Sequence, residues 1–208
     1  MTKLPTFDEE ARLQARGFRL VAGVDEVGRG ALAGPVMAAA VILPLGVDFP
    51  WLGSVRDSKQ LSPKKRERVF DLVQRAGIPF GLGSVPHATI DKVGIVQATR
   101  MAMAQAVDSL PSRPDFLLID ALSLPEVDLP QKGIIRGDQL SLSIACASIM
   151  AKVSRDRQMT EFDGVYPGYG LARHKGYGTR QHLQSLGQLG PCAIHRRSFA
   201  PVWGLSTT

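Results

Sequence analysis

The sequence is poor in cysteine, which argues against a domain stabilised by disulfides or by a zinc ion bound to cysteines. Only Cys146 and Cys192 occur in 208 residues, and they form no CxxC pair. Neither a disulfide framework nor a cysteine zinc site is supported, and we expect both thiols to be reduced in a cytosol.

The sequence also lacks an apolar run long enough to cross a membrane. The longest, over residues 31–45, is interrupted by Gly34, Pro35 and Pro44. It falls short of the roughly 18 to 20 residues that a spanning helix needs. Acidic residues at positions 8–10 replace the apolar stretch of a secretory signal. We therefore expect a cytoplasmic protein with no membrane contact.

Acidic residues are missing from the end of the chain, since residues 164–208 contain no Asp or Glu. The whole chain has 25 Lys and Arg against 19 Asp and Glu, a formal net charge of +6. A positive balance favours a phosphate-rich partner, with nucleic acid first among them. We predict one domain over residues 1–208. Its segment from about residue 163 to 208 is expected to be basic and to lie at the surface.

The hydrophobic pattern predicts strands and helices in an α/β order. Apolar and β-branched runs predict strands over residues 18–24, 36–43, 80–85 and 115–120. Ser62 and Pro63 begin a predicted helix that ends at Gly77, and further helices are predicted over residues 96–110, 141–162 and 179–186. Strands followed by alternating helix and strand are typical of an α/β layer fold with a mixed sheet.

Four carboxylates stand where such a fold places its ligands. Asp25 and Glu26 end one predicted strand, Asp120 ends another, and Asp138 precedes the long helix. A set of hard oxygen donors suits Mg²⁺ or Mn²⁺ and disfavours zinc. Each acid alone is equally well explained as a turn or helix-cap residue. The metal site therefore depends on the set meeting in space.

A glycine-rich turn, Gly28-Arg29-Gly30, follows the first two acids. It forms either a tight turn between strands or a place where backbone amides approach a phosphate or sugar, with Arg29 adding charge. No Gly-Lys-Ser/Thr follows it, so it is not a Walker A loop.

Aromatic and basic residues alternate near the end of the chain, around Tyr166, Tyr169, His174, Lys175 and Tyr177. This alternation suits stacking on bases or sugars beside phosphate contacts, although the first two tyrosines could equally pack on the core. Residues 195–198 either contact phosphates or form a salt-bridged turn. The sequence does not decide whether His174 and His195 assist proton transfer or bind phosphate.

Seven stretches in this order make the chain resemble bacterial ribonuclease HII, the type 2 ribonuclease H. They are VAGVDEVGRGALAGPV (21–36), DSKQLS (57–62), LLID (117–120), RGD (136–138), ASIMAKVSRDR (147–157), YGLARHKGYGT (169–179) and HRRSFAPV (195–202). The resemblance covers nearly the whole chain. Departures are Gln60, where a second lysine is common, Arg136 for a common lysine, and Ala121 for a frequent glycine.

The resemblance implies an RNase H-like fold, with a mixed five-stranded central sheet flanked by helices and a helical C-terminal extension. It implies endonucleolytic cleavage of the RNA strand of RNA·DNA hybrids, and cleavage 5′ to a single ribonucleotide in duplex DNA. The products would be a 3′-hydroxyl and a 5′-phosphate, formed by two-metal-ion catalysis with Mn²⁺ or Mg²⁺. Roles in ribonucleotide excision repair and RNA primer removal would follow.

The resemblance also implies residue roles. Asp25, Glu26 and Asp120 match metal ligands, and Asp138 matches a fourth active-site carboxylate. Further residues match substrate-binding positions: Gly28, Arg29 and Gly30 around the ribose 2′-hydroxyl, Tyr177 stacked beside the ribonucleotide, and Lys59, His174, Lys175 and Arg196. We expect a monomer. The chain ends at Thr208 without an apolar-aromatic tail, so sliding-clamp docking is not implied.

Two other classes of function stay open on the residues alone. A different RNase H-like nuclease or recombinase would share the acid cluster without depending on ribose. A catalytically silent hybrid-binding module would show salt-dependent affinity and no metal-dependent product.

Overall fold

A computed structural model describes residues 4–47, 49–55 and 58–204, with the side chain of Lys59 left out. Five strands form one sheet in the order β3-β2-β1-β4-β5. They are β1 (Val21–Val27), β2 (Val36–Ile42), β3 (Phe80–Val85), β4 (Phe116–Asp120) and β5 (Gln131–Ile134). The first three strands pair antiparallel, while β4 pairs parallel with both β1 and β5. The prediction of a mixed five-stranded sheet is confirmed.

Helices cover both faces of the sheet. They are α1 (Asp8–Ala15), α2 (Pro63–Arg75), α3 (His87–Val93), α4 (Ile95–Asp108), α5 (Leu142–Val165), α6 (Leu171–His174) and α7 (Arg180–Leu189). One face packs with α4 around buried residues such as Val24, Met103 and Ile119. The opposite face packs with α5 and α2, around buried residues such as Val41 and Met150.

Two glycines let the helices lie directly on the strands. A Cβ atom on Gly23 of β1 would lie 2.2 Å from the backbone carbon of Ser143 in α5. A Cβ atom on Gly83 of β3 would lie 1.9 Å from the carbonyl oxygen of Ala102 in α4. Any side chain at either position would push its helix off the sheet. The close approach of α5 brings its polar residues to the edge where β1 and β4 end.

Several predicted boundaries move. The strand predicted over residues 18–24 is observed at Val21–Val27, because β1 continues its pairing with β2 after β4 has ended. The helix predicted to end at residue 162 continues to Val165. Neither α1 nor β5 was predicted, since DEEARLQA has only one large apolar residue and QKGI is short.

The C-terminal segment is helical, with α6 and α7, but it is not simply a basic surface. His174, His182, His195 and Arg196 are all buried. The ring nitrogens of the three histidines and two guanidinium nitrogens of Arg196 bond to backbone groups or to one another, which replaces the water lost on burial. The expectation of a basic surface was therefore wrong for these residues. Across the described residues, no helix is both long and apolar enough for a bilayer crossing.

Candidate active site

Asp25 and Asp120 meet at the edge where two parallel strands end. The parallel register pairs Val24 with Ile119, which makes these acids the next residues on their strands. β1 then continues against β2, where Asp25 pairs with Ala39 and Glu26 with Ala38. The first two acids therefore lie within the last part of β1 rather than beyond it, and the sheet fixes their backbone.

The charges of Glu26 and Asp120 raise the proton affinity of Asp25. Asp25 is only 5% exposed. Burial raises its pKa well above the usual range, and the charges of Glu26 and Asp120 raise it further. Hydrogen bonds from Ser148 and from the amide of Glu26 oppose this rise. The three carboxylates therefore form one electrostatic unit, which a cation would stabilise.

Glu26 is held on one side only. Its Oε1 lies 3.4 Å from Nη1 of Arg29, and this guanidinium opposes the rise of its pKa caused by burial. Its Oε2 is buried and has no hydrogen-bond partner among the described residues. A buried carboxylate oxygen without a donor is costly, so this atom fits a site for a hard cation.

Asp138 is linked to Asp120 by the backbone amide of the residue before it, Gly137. Oδ1 of Asp120 accepts a hydrogen bond of 2.7 Å from the amide of Gly137. Asp138 is buried in a 3₁₀ turn over Gly137–Gln139, just before α5, and Arg136 enters this turn with a left-handed φ of +56°. In the part of the chain that the structure describes, no three His, Cys, Asp or Glu side chains already form a metal-binding group. Joint ligation by the four acids therefore stays a prediction.

A cleft of about 400 Å³ opens beside these acids. Its lining combines two carboxylates, the glycine-rich turn and the tyrosine: Asp25, Glu26, Val27, Gly28, Arg29, Gly30, Ser58, Ser148, Lys152 and Tyr177. The structure thus brings together six of the predicted site residues from positions that are up to 152 apart in sequence (177 − 25).

Two buried arginines hold the turn Gly28–Gly30 and the loop after it by hydrogen bonds to their carbonyl groups. Arg155 of α5 donates to the carbonyls of Pro35 at 2.9 Å and Ala33 at 3.1 Å. Arg196 donates to the carbonyls of Gly34 at 3.0 Å and Arg29 at 2.8 Å. Carbonyl groups that would otherwise need water are satisfied inside the protein, so the turn is fixed before any substrate binds.

Two predicted substrate contacts are corrected by burial. Arg196 is 0% exposed, so it shapes the glycine-rich turn and has no surface for the direct substrate contact we predicted. Both ring nitrogens of His174 bond to the backbone, Nε2 to the carbonyl of Tyr169 and Nδ1 to the amide of Gly176. His174 therefore holds its own loop.

Tyr177 lines the cleft and lies beside two cations of α5. Its backbone bridges to Ala31, next to the glycine-rich turn. Its ring centroid lies 5.5 Å from Cζ of Arg155 and 6.0 Å from Nζ of Lys152, within cation–π range. Lys175 lies outside this cleft, and its ammonium donates to the carbonyl of Asp156 and to Oγ1 of Thr160.

The Lys59 side chain lies outside the described residues, but its backbone is in a well-supported turn. Residues Ser58–Gln60 form a 3₁₀ turn. The buried guanidinium of Arg66 donates to the carbonyls of Ser58 at 2.8 Å and Leu61 at 2.6 Å. Position 59 is therefore held next to Ser58, which lines the cleft.

Sequence reasoning missed Ser148 and Lys152. Both line the cleft from α5, and Lys152 pairs with Asp156 at 2.8 Å. The signal was present, since residues 148 and 152 are four apart and share a helix face in an otherwise apolar stretch. That stretch was interpreted only as a buried packing helix.

Comparison with known proteins identifies relatives over most of the chain. The family model described as ribonuclease HII matches residues 22–202. Ribonuclease HII of Dehalococcoides mccartyi strain BAV1 is 55% identical over 201 residues, covering 97% of this chain and 95% of that protein. Among solved structures, ribonuclease H2 from Pyrococcus horikoshii OT3 has a TM-score of 0.72 at 25% identity, covering 88% of this chain and 94% of that one.

A more distant structure shares the fold. Bst-RNase HIII in complex with Mn²⁺ has a TM-score of 0.60 at 19% identity, covering 88% of this chain and 68% of that one. The family match spans the acids, the glycine-rich turn and Tyr177 together. The chain therefore belongs to the ribonuclease HII family, whose members are nucleases that hydrolyse the RNA of RNA·DNA hybrids.

Proposed function

We propose that this protein is an endonuclease that cuts the RNA strand of hybrids and also cuts 5′ to single ribonucleotides in duplex DNA. The products are a 3′-hydroxyl and a 5′-phosphate, which suits ribonucleotide excision repair and RNA primer removal. The observation that carries the proposal is the shared cleft, where Asp25 and Glu26 lie with the glycine-rich turn and Tyr177.

The donor set fits Mg²⁺ or Mn²⁺. Asp25, Glu26, Asp120 and Asp138 offer oxygen atoms only, and the buried Oε2 of Glu26 lacks a donor among the described residues. We assign these four carboxylates as the residues that would hold the ions. The chemistry supplied by two bound ions would be activation of the attacking water and neutralisation of the leaving 3′-oxygen.

Selectivity for ribose is assigned to the backbone of the glycine-rich turn. The amide groups of Arg29 and Gly30 donate to no protein acceptor within the described ranges. A Cβ placed on Gly30 would meet nothing within 4 Å, so its backbone is open to a ligand. A site built around a 2′-hydroxyl leaves polar atoms unpaired when DNA binds instead. Cleavage is therefore expected to require ribose and to ignore base identity.

Tyr177 and the cations beside the cleft complete the proposed substrate contacts. The ring of Tyr177 lines the cleft and presents a surface for stacking at the ribonucleotide. The Arg29 side chain is 40% exposed, and Lys175 lies in a neighbouring groove with Arg157 and Arg173. We assign Lys59, Arg29 and Lys175 to the phosphates.

We also propose that the protein is a cytoplasmic monomer of one domain. The two free thiols suit a reducing compartment.

The test is an end-labelled duplex DNA carrying one ribonucleotide, incubated with Mg²⁺, Mn²⁺ or a chelator. We expect one cut on the 5′ side of the ribonucleotide, with a 3′ end that a DNA polymerase extends, and no product with chelator. An all-DNA duplex is the control, because cutting it would indicate a ribose-independent nuclease. Binding without any product in either metal would instead indicate a hybrid-binding module.

A further inference from the structure

A buried polar cluster lies behind Tyr177, outside the cleft. His182 is 0% exposed and His195 is 1% exposed. Nδ1 of His182 lies 3.0 Å from the carbonyl oxygen of Tyr177, and its Nε2 lies 3.0 Å from Nε2 of His195. On the far side, Nδ1 of His195 lies 3.0 Å from the backbone nitrogen of Cys192 and 3.1 Å from its Sγ. The cluster is thus a continuous chain from Cys192 to Tyr177.

The partners at its two ends fix the direction of every hydrogen bond. A carbonyl only accepts, so Nδ1 of His182 carries the proton and its Nε2 accepts. His195 must then donate from Nε2, which leaves its Nδ1 to accept from the amide of Cys192. All contacts are satisfied in this one arrangement, and both imidazoles must be neutral in it.

The surroundings favour the neutral state. Burial, followed by the neighbouring His182, lowers the pKa of His195 to about 4. Burial also lowers the pKa of His182. His174 stacks on His182 with ring centroids 4.4 Å apart. Because His174 bonds through both nitrogens to the backbone of Tyr169 and Gly176, it limits rotation of the ring of His182.

A hydrogen-bonded network of this kind restricts the positions of its residues more than apolar packing does. Apolar side chains tolerate small shifts, whereas a buried polar network is satisfied in few arrangements. The carbonyl of Tyr177 also accepts from the amide of Thr179 at 2.8 Å. His182 therefore adds a second donor, and two donors set the orientation of this peptide group. Tyr177 itself lines the cleft, and its ring lies 6.0 Å from Nζ of Lys152, another lining residue.

We propose that His182 is a positioning residue for the cleavage reaction. Oriented by His195, it holds the backbone of Tyr177 so that the ring meets the nucleotide at the cleavage site. This inference rests on the proposed function, in which Tyr177 stacks beside the ribonucleotide.

A matched pair of substitutions tests it. His182→Asn keeps a side-chain N–H near the Nδ1 position, whereas His182→Gln places its amide near Nε2 and loses the donor to Tyr177. We expect His182→Gln to lower kcat on a single-ribonucleotide duplex by at least fivefold, and His182→Asn to keep more than half of it. Leu183→Gln, at the neighbouring exposed position, is the control and should keep full activity.

A double-mutant cycle separates positioning from general stability. In a Tyr177→Ala background, His182→Gln should change kcat by less than twofold, because its effect passes through the ring. An equal loss in both backgrounds, or equal activity of the Asn and Gln variants, would overturn the proposal. Full activity of Tyr177→Ala itself would remove the proposed role of that ring, and this inference with it.

The wild-type protein offers a test that does not depend on any variant folding. Long-range ¹⁵N–¹H spectra of the imidazoles at pH 7 should show His182 protonated at Nδ1 only and His195 at Nε2 only. A proton on Nε2 of His182 would contradict the assigned hydrogen-bond directions and overturn the proposal.

Discussion

Gly28 lies directly against the guanidinium of Arg155. A Cβ atom at position 28 would come within 2.2 Å of Nε, and the backbone there has a φ of +90°. Both the space and the conformation therefore exclude a side chain. The contact joins the glycine-rich turn to the helix that carries Ser148 and Lys152.

Gly28→Ala is expected to displace this turn and lower kcat/KM at a single ribonucleotide by about a hundredfold, because a shift of about 1 Å can cost that much. Gly17→Ala is the matched control, since Gly17 has a φ of +97° but nothing within 4 Å of its Cβ position. The control should lose roughly 1 to 2 kcal/mol of stability, because a Cβ is disfavoured at positive φ, and should keep its activity. Equal activity of both variants would show that crowding by Arg155 is unimportant.

Asp25→Asn is expected to abolish cleavage and to leave the free energy of unfolding unchanged or higher in metal-free buffer. The reason is that the substitution removes a buried charge that Glu26 and Asp120 repel. Single-turnover cleavage and urea denaturation measure the two effects on one preparation. Unchanged cleavage in Mg²⁺ would remove Asp25 from the ligand set.

Divalent cations are expected to stabilise the wild-type protein against heat. A ligand present at 100 times its Kd stabilises by about 2.7 kcal/mol, and Mn²⁺ should raise the Tm accordingly. The Asp25→Asn and Asp120→Asn variants should respond much less, and a chelator should reverse the shift. A shift of the same size in both variants would place the bound ion away from these acids.

Arg196→Gln is expected to cost about 2 to 4 kcal/mol of stability and to lower activity as well. Its two hydrogen bonds satisfy the carbonyls of Arg29 and Gly34, which would be left buried without a donor. Arg197→Gln is a useful comparison one residue away. Urea denaturation and cleavage at 25 °C are the measurements, and normal activity of a folded Arg196→Gln protein would show that the turn keeps its shape unaided.

Acid is expected to weaken the protein through His195. Its pKa is lowered from 6.5 to about 4 by burial. The unfolded chain therefore takes up a proton at higher pH than the folded one, and this contribution to stability falls as pH drops from about 6.5 to 4. Above about pH 6.5 it is constant. In His195→Phe, the loss of stability between pH 6.5 and pH 4 should be smaller by on the order of 3 kcal/mol. The same slope in wild type and variant would assign the acid sensitivity elsewhere.

The sequence predicted the parts of the site that depend on short-range pattern. Apolar runs ending in Asp25 and Asp120 indicated strand ends at one edge, and the parallel pairing of β1 with β4 brings those ends together. The buried role of Arg196 was not predictable in this way. A run of basic residues without acids is typical of a surface, and the carbonyls that accept from Arg196 lie more than 160 residues earlier in the chain.

The two hydrogen bonds of Arg196 also set the order in which the cleft can be completed. During synthesis, every acid assigned to the metal site emerges before residue 139, but the guanidinium that fixes the glycine-rich turn arrives at residue 196. Contacts so distant in sequence form late in folding because a long loop must first be closed. A chain stopped before residue 196 would carry all four carboxylates but would lack the donor to the carbonyls of Arg29 and Gly34, so we expect it to be inactive.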